Sequence, residues 1–348
     1  MKFTNLPKLK KGDKVAIVSP SFAAPGQWPD VYKMALDRLQ NDFGLIPVEY
    51  PATAKIGASG QERAEDLIAA FLDPNIKGVI ATIGGSDQVT YVKNLPKEVF
   101  INNPKPFYGF SDNTHFANFL WLCGMPSYYG ANLFTQFAMP GKIDDFTKKY
   151  LNLALFENGK FELESSPVHS EFSTTTWDNI ETMQQERNFI KNNGWNWDTQ
   201  QHKIFTGISW GGCLESIDEI LRHNLEIPSL DQFENIILFL ETSEEQPDAE
   251  YVFRVLRTLG SRGILEKIQG VMVGRPETWS MDSSKSHQNR EDYRQTQAKT
   301  ILETIRTYNQ SCPIIQNMDF GHTHPQIPMP NGRQVWIDTV NKKIVAEY

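Results

Sequence analysis

The chain has few cysteines, no long hydrophobic run and no strongly basic segment. Its three cysteines, Cys123, Cys213 and Cys312, lie far apart, which argues against a disulfide framework and against a structural zinc site. No hydrophobic run approaches the roughly 20 residues that a membrane-spanning helix needs. The first residues also lack the apolar core of a secretory signal. These absences favour a protein in a reducing, cytoplasmic setting with no membrane partner.

The charge of the chain gives no sign of a nucleic-acid partner. The net charge is −8, and the densest basic stretch is Lys8-Leu9-Lys10-Lys11. Nucleic-acid-binding proteins usually carry a strong basic patch, so we expect none of that class here. Hydrophobic residues make up 40% and charged residues 22% of the 348 residues, which is ordinary for a globular protein of two domains.

The first part of the chain alternates between apolar runs and helical patterns. Apolar runs at residues 15–18, 45–48 and 78–83 are each followed by residues with helical spacing, and residues 106–110 begin a fourth such pair. This alternation predicts a parallel α/β sheet, whose functional loops follow the carboxyl ends of the strands. Pro47 makes the second run irregular or an edge strand.

Residues 158–205 differ from the rest, because they are polar and carry Trp177, Trp195 and Trp197. A segment of this length is either a surface linker whose tryptophans pack on a neighbouring domain or a loop that lines a binding cleft. Beyond it, the run at 236–240 predicts a buried strand, the run at 270–274 predicts a further strand, and residues 334–347 predict a hairpin. We therefore expect domains at 1–157 and 206–348, joined by this Trp-bearing segment.

Ser111 lies at a predicted turn between a strand and a helix, in the stretch PFYGFSDNTH over residues 106–115. Its surroundings read G-x-S-x-N, a partial match to the G-x-S-x-G turn that presents a nucleophilic serine. The commoner explanation is a helix cap, in which the serine oxygen accepts a backbone N–H. The local sequence leaves both alternatives open.

Glu241 and His322 share the context of Ser111, since each follows an apolar strand. Serine hydrolysis needs a hydroxyl, an imidazole base and a carboxylate that orients the base, and the order Ser, acid, His is known. Taken singly, Glu241 could be a hydrated strand-end carboxylate and His322 a loop histidine. His322 and His324 also form an H-x-H pair, which would become a metal site only if Asp319 or Glu241 joined it.

The Gly84-Gly85 pair follows the third predicted strand. It lacks the G-x-G-x-x-G spacing of dinucleotide sites and the lysine of a phosphate-binding loop. It could still offer a backbone N–H to an oxyanion, or to the phosphate of a nucleotide in a protein without catalytic activity. Three classes of function therefore stay open: a serine hydrolase, a metal hydrolase and a nucleotide-binding module.

Seven motifs in order resemble the LD-carboxypeptidase family of serine peptidases, which includes the microcin C immunity proteins. They are GDKVAIVSPS, IGGSD, YGFSDNT, SWGGCLESI, ILFLETSEE, GVMVGRPE and DFGHTHPQIPMPNG. The resemblance implies that Ser111 is the nucleophile, Glu241 the carboxylate and His322 the base. It also implies an oxyanion hole made by the backbone N–H groups of Gly85 and Asp112.

The same resemblance implies an overall architecture. It comprises a Rossmann-like N-terminal domain with a parallel sheet and a β-rich α/β C-terminal domain, with the active site between them. A cytoplasmic homodimer without cofactor or metal is also implied.

Two substrate classes follow from the resemblance. LD-carboxypeptidases remove the terminal D-alanine of murein tetrapeptides in cell-wall recycling, and microcin immunity proteins cut an amide between an aspartyl residue and a nucleotide-like group. The Trp-bearing segment and the HTHPQIPMP motif resemble the immunity branch. That resemblance implies that Trp177 stacks on the base and that Glu277 is a further substrate-binding residue. A lysine expected near position 245 is replaced by Glu244-Glu245.

Overall fold

The structure of the protein, a computed structural model, describes residues 2–170, 175–279 and 287–348. Strands β1 to β16 are Lys14–Val18, Ile46–Glu49, Ile76–Ala81, Phe107–Tyr108, Ser127–Tyr129, Lys160–Leu163, Val168–Ser170, Phe189–Lys191, Asn196–Asp198, Ile204–Cys213, Ile236–Glu241, Gly270–Gly274, Ile314–Met318, Met329–Asn331, Gln334–Asp338 and Lys343–Glu347. Helices α1 to α11 are Ala24–Gln27, Pro29–Asn41, Gly60–Leu72, Gln88–Tyr91, Lys97–Asn102, Thr114–Leu122, Asp145–Phe156, Leu214–His223, Ala249–Ser261, Ile264–Lys267 and His287–Tyr308.

The first sheet has the strand order β14-β5-β4-β3-β1-β2. Strands β1 to β5 run parallel, and β14 joins β5 antiparallel at the edge. The predicted parallel α/β sheet is therefore confirmed. Strand β2, which contains Pro47, is an edge strand, which is one of the two alternatives predicted for it. The order in which strands are added reverses at β1, because β2 lies on one side of it and β3 on the other. Ligands bind outside the carboxyl ends of parallel strands at such a point.

The second sheet has the order β6-β16-β15-β10-β11-β12-β13-β9. Its centre, β10 to β13, is parallel, and antiparallel strands extend it on both sides. All six residues of β11 are buried, as expected for a strand covered on both faces. The predicted hairpin near the end of the chain is confirmed by the antiparallel pair β15–β16.

The Trp-bearing segment contains four short strands. Strands β6 and β9 extend the second sheet at its two edges, whereas β7 and β8 pair with each other. Strand β14 comes from the C-terminal part of the chain, yet it pairs with β5 in the first sheet. The predicted divisions at residues 157 and 205 thus describe changes in sequence character, and as domain boundaries they remain predictions.

Three buried clusters hold the layers together. One fills the space between the two sheets and includes Ile17, Tyr129, Phe239 and Met272. The other two lie on the outer faces, where α8 to α11 cover the second sheet and α3, α5 and α6 cover the first. Among the residues described, no helix combines the length and apolar character needed to cross a membrane.

Candidate active site

Ser111 occupies a strained turn directly after β4. Its backbone φ is 65°, in the left-handed region that residues with a side chain rarely adopt. A 3₁₀ turn over Ser111–Asn113 then leads into α6. The helix-cap alternative has no support here, since no side chain caps this turn or α6. The strained turn leaves the half-buried Ser111 side chain facing the Gly84-Gly85 turn that follows β3.

Gly84 and Gly85 permit a close approach between that turn and Ser111. A Cβ atom added to Gly84 would lie 2.8 Å from Ser111 Cβ and 3.3 Å from the Asp112 backbone nitrogen. Gly85 has a φ of 146°, and a Cβ there would overlap Ser21 Oγ at 2.2 Å. The turn that contains Gly85 therefore lies beside Ser111 and close to the backbone nitrogen of Asp112, the other predicted oxyanion donor.

His322 and Glu241 form a buried pair. His322 Nδ1 lies 2.7 Å from Glu241 Oε2, and the Glu241 side chain is fully buried. A Cβ atom at Gly321 would lie 2.4 Å from the same carboxylate oxygen, so the residue before His322 must be glycine for the pair to form. The Phe110 ring lies against the imidazole, with the ring centres 5.0 Å apart.

Tyr129, which the sequence analysis did not single out, connects Ser111 with this pair. The buried Tyr129 hydroxyl donates to Glu241 Oε1 at 2.5 Å and accepts the Ser111 backbone N–H at 3.1 Å. Burial, together with the Glu241 charge, raises the pKa of Tyr129 well above its ordinary value, so it stays a donor. No motif pointed to Tyr129, because its role depends on β5 lying beside β4.

Glu244 lies at the other nitrogen of the imidazole. Its Oε2 is 3.0 Å from His322 Nε2, and its side chain is 64% exposed. Within the described parts of the chain, no hydrogen bond joins Ser111 Oγ to His322. The structure thus brings Ser111, Glu241 and His322 to one place, but the ring nitrogen expected to face the serine contacts a carboxylate instead.

The two histidines of the H-x-H pair differ in charge. Burial opposes protonation of His322, but the carboxylates of Glu241 and Glu244 outweigh it and raise the pKa of His322 well above its ordinary value. The imidazolium in turn lowers the pKa of Glu244 to about 2. Burial, with the charges of Arg187 and His322, lowers the pKa of His324 well below its ordinary value, so His324 is neutral.

The two residues expected to bind substrate have structural contacts of their own. The Trp177 ring packs edge-on against Trp28 and Phe134, with centre distances of 5.0 and 5.5 Å. Glu277 Oε1 accepts the backbone N–H groups of Thr278 and Trp279. Burial raises the pKa of Glu277, whereas the charges of Arg187 and His322 act to lower it, which places Glu277 within electrostatic reach of the His322 imidazole.

The H-x-H pair does not belong to a cluster of metal-binding side chains. Over residues 2–170, 175–279 and 287–348, the one such group of three or more is Asp112, His115 and Glu219. There, His115 Nε2 lies 3.0 Å from Glu219 and 3.9 Å from Asp112. Neither Asp319 nor Glu241 completes a site with both His322 and His324: Asp319 pairs with Arg275 at 2.5 Å.

Family profiles match most of the chain. The LD-carboxypeptidase N-terminal domain matches residues 15–130, and the LD-carboxypeptidase C-terminal domain matches residues 206–337. The chain belongs to the LD-carboxypeptidase family. It is therefore an enzyme of the serine peptidase class, and the family resemblance of its motifs is confirmed.

Relatives of this LD-carboxypeptidase family member align over nearly their whole length. "Putative carboxypeptidase YocD" of Bacillus subtilis (strain 168) is 28% identical over 96% of both chains. The microcin C7 self-immunity protein MccF of Escherichia coli is 23% identical over 97% of this chain and 93% of its own.

Solved structures agree with the fold. An MccF-like protein from Streptococcus pneumoniae in complex with AMP superposes with a TM-score of 0.84 at 26% identity, covering 97% of this chain and 99% of its own. MccF in complex with aspartyl sulfamoyl adenosine gives the same TM-score at 22% identity, covering 99% and 98%. The predicted fold, with a parallel α/β sheet and a second α/β layer, is confirmed.

Proposed function

We propose that Ser111, Glu241 and His322 form the catalytic triad of an amidase that cleaves the amide between an aspartyl residue and a nucleotide-like group. The observation that carries this proposal is the 2.7 Å contact between His322 Nδ1 and the buried Glu241 carboxylate, at the strand ends where Ser111 lies. A carboxylate in that position orients the imidazole and stabilises its protonated form.

The reaction would follow from these positions. Ser111 Oγ attacks the amide carbonyl, and His322 Nε2 accepts its proton and passes it to the leaving nitrogen. The backbone N–H groups of Gly85 and Asp112 would stabilise the oxyanion. Water then hydrolyses the acyl-enzyme, with His322 again acting as the base.

The choice of substrate rests on two opposing observations. The similarity to MccF and to an MccF-like protein crystallised with AMP supports a nucleotide-like group. The position of Glu244 argues against a nucleotide-like group, because a carboxylate beside His322 would repel a phosphate. Removal of D-alanine from murein tetrapeptides is therefore the second candidate.

Mass spectrometry of reaction mixtures separates the two candidates. Purified protein and its Ser111→Ala variant are incubated with a murein tetrapeptide and with aspartyl sulfamoyl adenosine. We expect Ser111-dependent release of sulfamoyl adenosine. Release of D-alanine alone would replace this substrate by the second candidate, and equal product from both proteins would overturn the triad.

From the resemblance of its motifs to the family, we also propose a cytoplasmic homodimer that uses no cofactor. Sedimentation velocity on the purified chain tests the dimer, which would have twice the 39.7 kDa mass of the chain. A single monomeric species over a wide concentration range would contradict it.

A further inference from the structure

Glu244 lies in a loop with an anchored backbone, and its side chain is largely exposed. It follows β11 in a loop where Ser243 donates both its backbone N–H and its hydroxyl to Glu215 Oε1, at 3.0 and 2.8 Å. The Glu244 side chain itself is 64% exposed, and its Oε2 contacts His322 Nε2 at 3.0 Å. The loop therefore aims this carboxylate at His322, while rotation of the side chain can remove it.

The contact with Glu244 prevents His322 from acting as a base. With carboxylates at both ring nitrogens, the imidazole is doubly protonated, and each nitrogen is a donor. A base needs a free lone pair on Nε2 to accept the Ser111 proton. Glu244 and Ser111 thus compete for the same nitrogen, and catalysis requires the Glu244 carboxylate to leave it.

The charges around the site decide what can draw the carboxylate away. Glu241 and Glu244 contact the imidazole, Glu277 lies within its electrostatic reach, and Arg187 is a cation whose charge reaches His324 and Glu277. An anionic substrate group would be repelled by Glu244 and would leave its contact with His322 intact. A cationic group would attract the carboxylate, since opposite charges a few ångströms apart in a partly buried site interact strongly.

We propose that Glu244 is a specificity-determining residue that selects substrates with an ammonium group beside the scissile amide. The ammonium forms an ion pair with the Glu244 carboxylate, which then no longer contacts His322. His322 can now release its Nε2 proton to water. The neutral imidazole accepts the Ser111 proton as the serine attacks, and gives it to the leaving nitrogen. This inference rests on the proposed function, because it assigns Ser111 and His322 their roles.

Matched substrates test the selection. Aspartyl sulfamoyl adenosine carries an α-ammonium beside the scissile bond, and its N-acetyl derivative does not. The dipeptide L-lysyl-D-alanine, whose α-ammonium lies beside its L–D amide, and its Nα-acetyl form make the equivalent pair. For whichever parent compound is hydrolysed, kcat/KM is measured on both members with wild type, Glu244→Gln and Glu245→Gln. Glu245 is the matched control, since it is the adjacent exposed carboxylate.

We expect wild type to prefer the ammonium form by about tenfold or more, which corresponds to about 1.4 kcal/mol. Glu244→Gln should reduce the preference to within about threefold, mainly by raising kcat/KM for the acetylated form. Glu245→Gln should keep the wild-type ratio. If acetylation costs wild type and Glu244→Gln the same factor, the inference is overturned while Ser111-dependent hydrolysis, and with it the proposed function, stands.

A measurement that needs no turnover distinguishes failure of this inference from failure of the proposed function. In an NMR titration of the imidazole resonances, Glu244→Gln should lower the pKa of His322, and Glu245→Gln should leave it unchanged. Absence of hydrolysis from every compound would refute the proposed function. An unshifted pKa of His322 in Glu244→Gln would refute the inference by itself.

Discussion

At the scale of single residues, the proposed chemical role of Ser111 depends on its hydroxyl, whereas its structural role depends on its left-handed backbone. Replacement by alanine removes the hydroxyl but keeps the left-handed turn, and no side-chain cap is lost. We therefore expect Ser111→Ala to lower kcat/KM by several orders of magnitude, because nucleophile and base act as a unit. Thermal unfolding should change little.

Ser111→Gly is the control for this variant. Glycine adopts a φ of 65° without steric cost, so this variant should be as inactive as Ser111→Ala but more stable, by up to about 1 kcal/mol. A variant that keeps more than a tenth of wild-type kcat/KM would exclude Ser111 as the nucleophile.

The two histidines of the H-x-H pair should respond differently to alanine. His322→Ala removes the partner of Glu241 and should abolish turnover. His324 is buried and neutral, and its Nδ1 has no hydrogen-bond partner among the described residues, so His324→Ala should lower kcat/KM less than tenfold. Equal losses that added zinc restores would instead support the metal hydrolase.

The charge of His322 predicts the pH profile of the wild type. His322 must be neutral to accept a proton, and its two carboxylate neighbours raise its pKa above the ordinary value of about 6.5. We therefore expect kcat/KM to rise with pH through a midpoint above that value. A plateau that already begins below pH 6 would show that the reacting imidazole is not held as an imidazolium.

At the scale of elements, Trp177 packs the Trp-bearing segment against the start of α2 and against the turn that follows β5. Its ring packs against Trp28 and Phe134, and Trp28 Nε1 donates to Asp178 at 2.7 Å. Trp177→Ala should cost about 1–3 kcal/mol of unfolding free energy, less than the 3–5 kcal/mol typical of a fully buried Trp.

Activity on both substrate classes shows whether the Trp177 ring also stacks on a base. A base-stacking role predicts a five- to hundredfold lower kcat/KM for the aspartyl nucleotide alone, at about 1–3 kcal/mol per stacked base. A packing role predicts a lower melting temperature with equal effects on both substrates. Trp28→Ala, which removes the other half of the contact, is the matched control.

Asp319 fixes the loop that carries His322. Asp319 Oδ1 pairs with the buried Arg275 at 2.5 Å, and Oδ2 accepts from the Ser166 backbone and from Trp195 Nε1. Asp319→Asn leaves the Arg275 charge buried without a counter-charge, so we expect a loss of about 3–5 kcal/mol in denaturant unfolding. Glu162→Gln, which breaks the exposed pair with Lys343, should cost less than about 1 kcal/mol.

At the scale of the whole molecule, the sequence predicted what depends on local pattern. The apolar runs at β1 and β3, alternating with helical patterns, predicted a parallel sheet, and those at β11 and β12 predicted strands. Pro47 predicted that β2 would be irregular or an edge strand. Strand β14 escaped prediction, because three residues that include Pro330 give no sign of their partner, β5, some 200 positions earlier. Tyr129 and Glu244 were missed as neighbours of Ser111, Glu241 and His322, because their contacts join residues far apart in the chain.

Strand β14 also constrains how the protein can be made. The first sheet draws five strands from the first 129 residues, yet its edge at β5 is closed only by residues 329–331. During translation, this edge stays unpaired until nearly the whole chain has been synthesised, and an unpaired edge invites association with other chains. The first sheet can therefore be completed only after the C-terminal part of the chain has been synthesised, and until then we expect its open edge to need protection from other nascent chains.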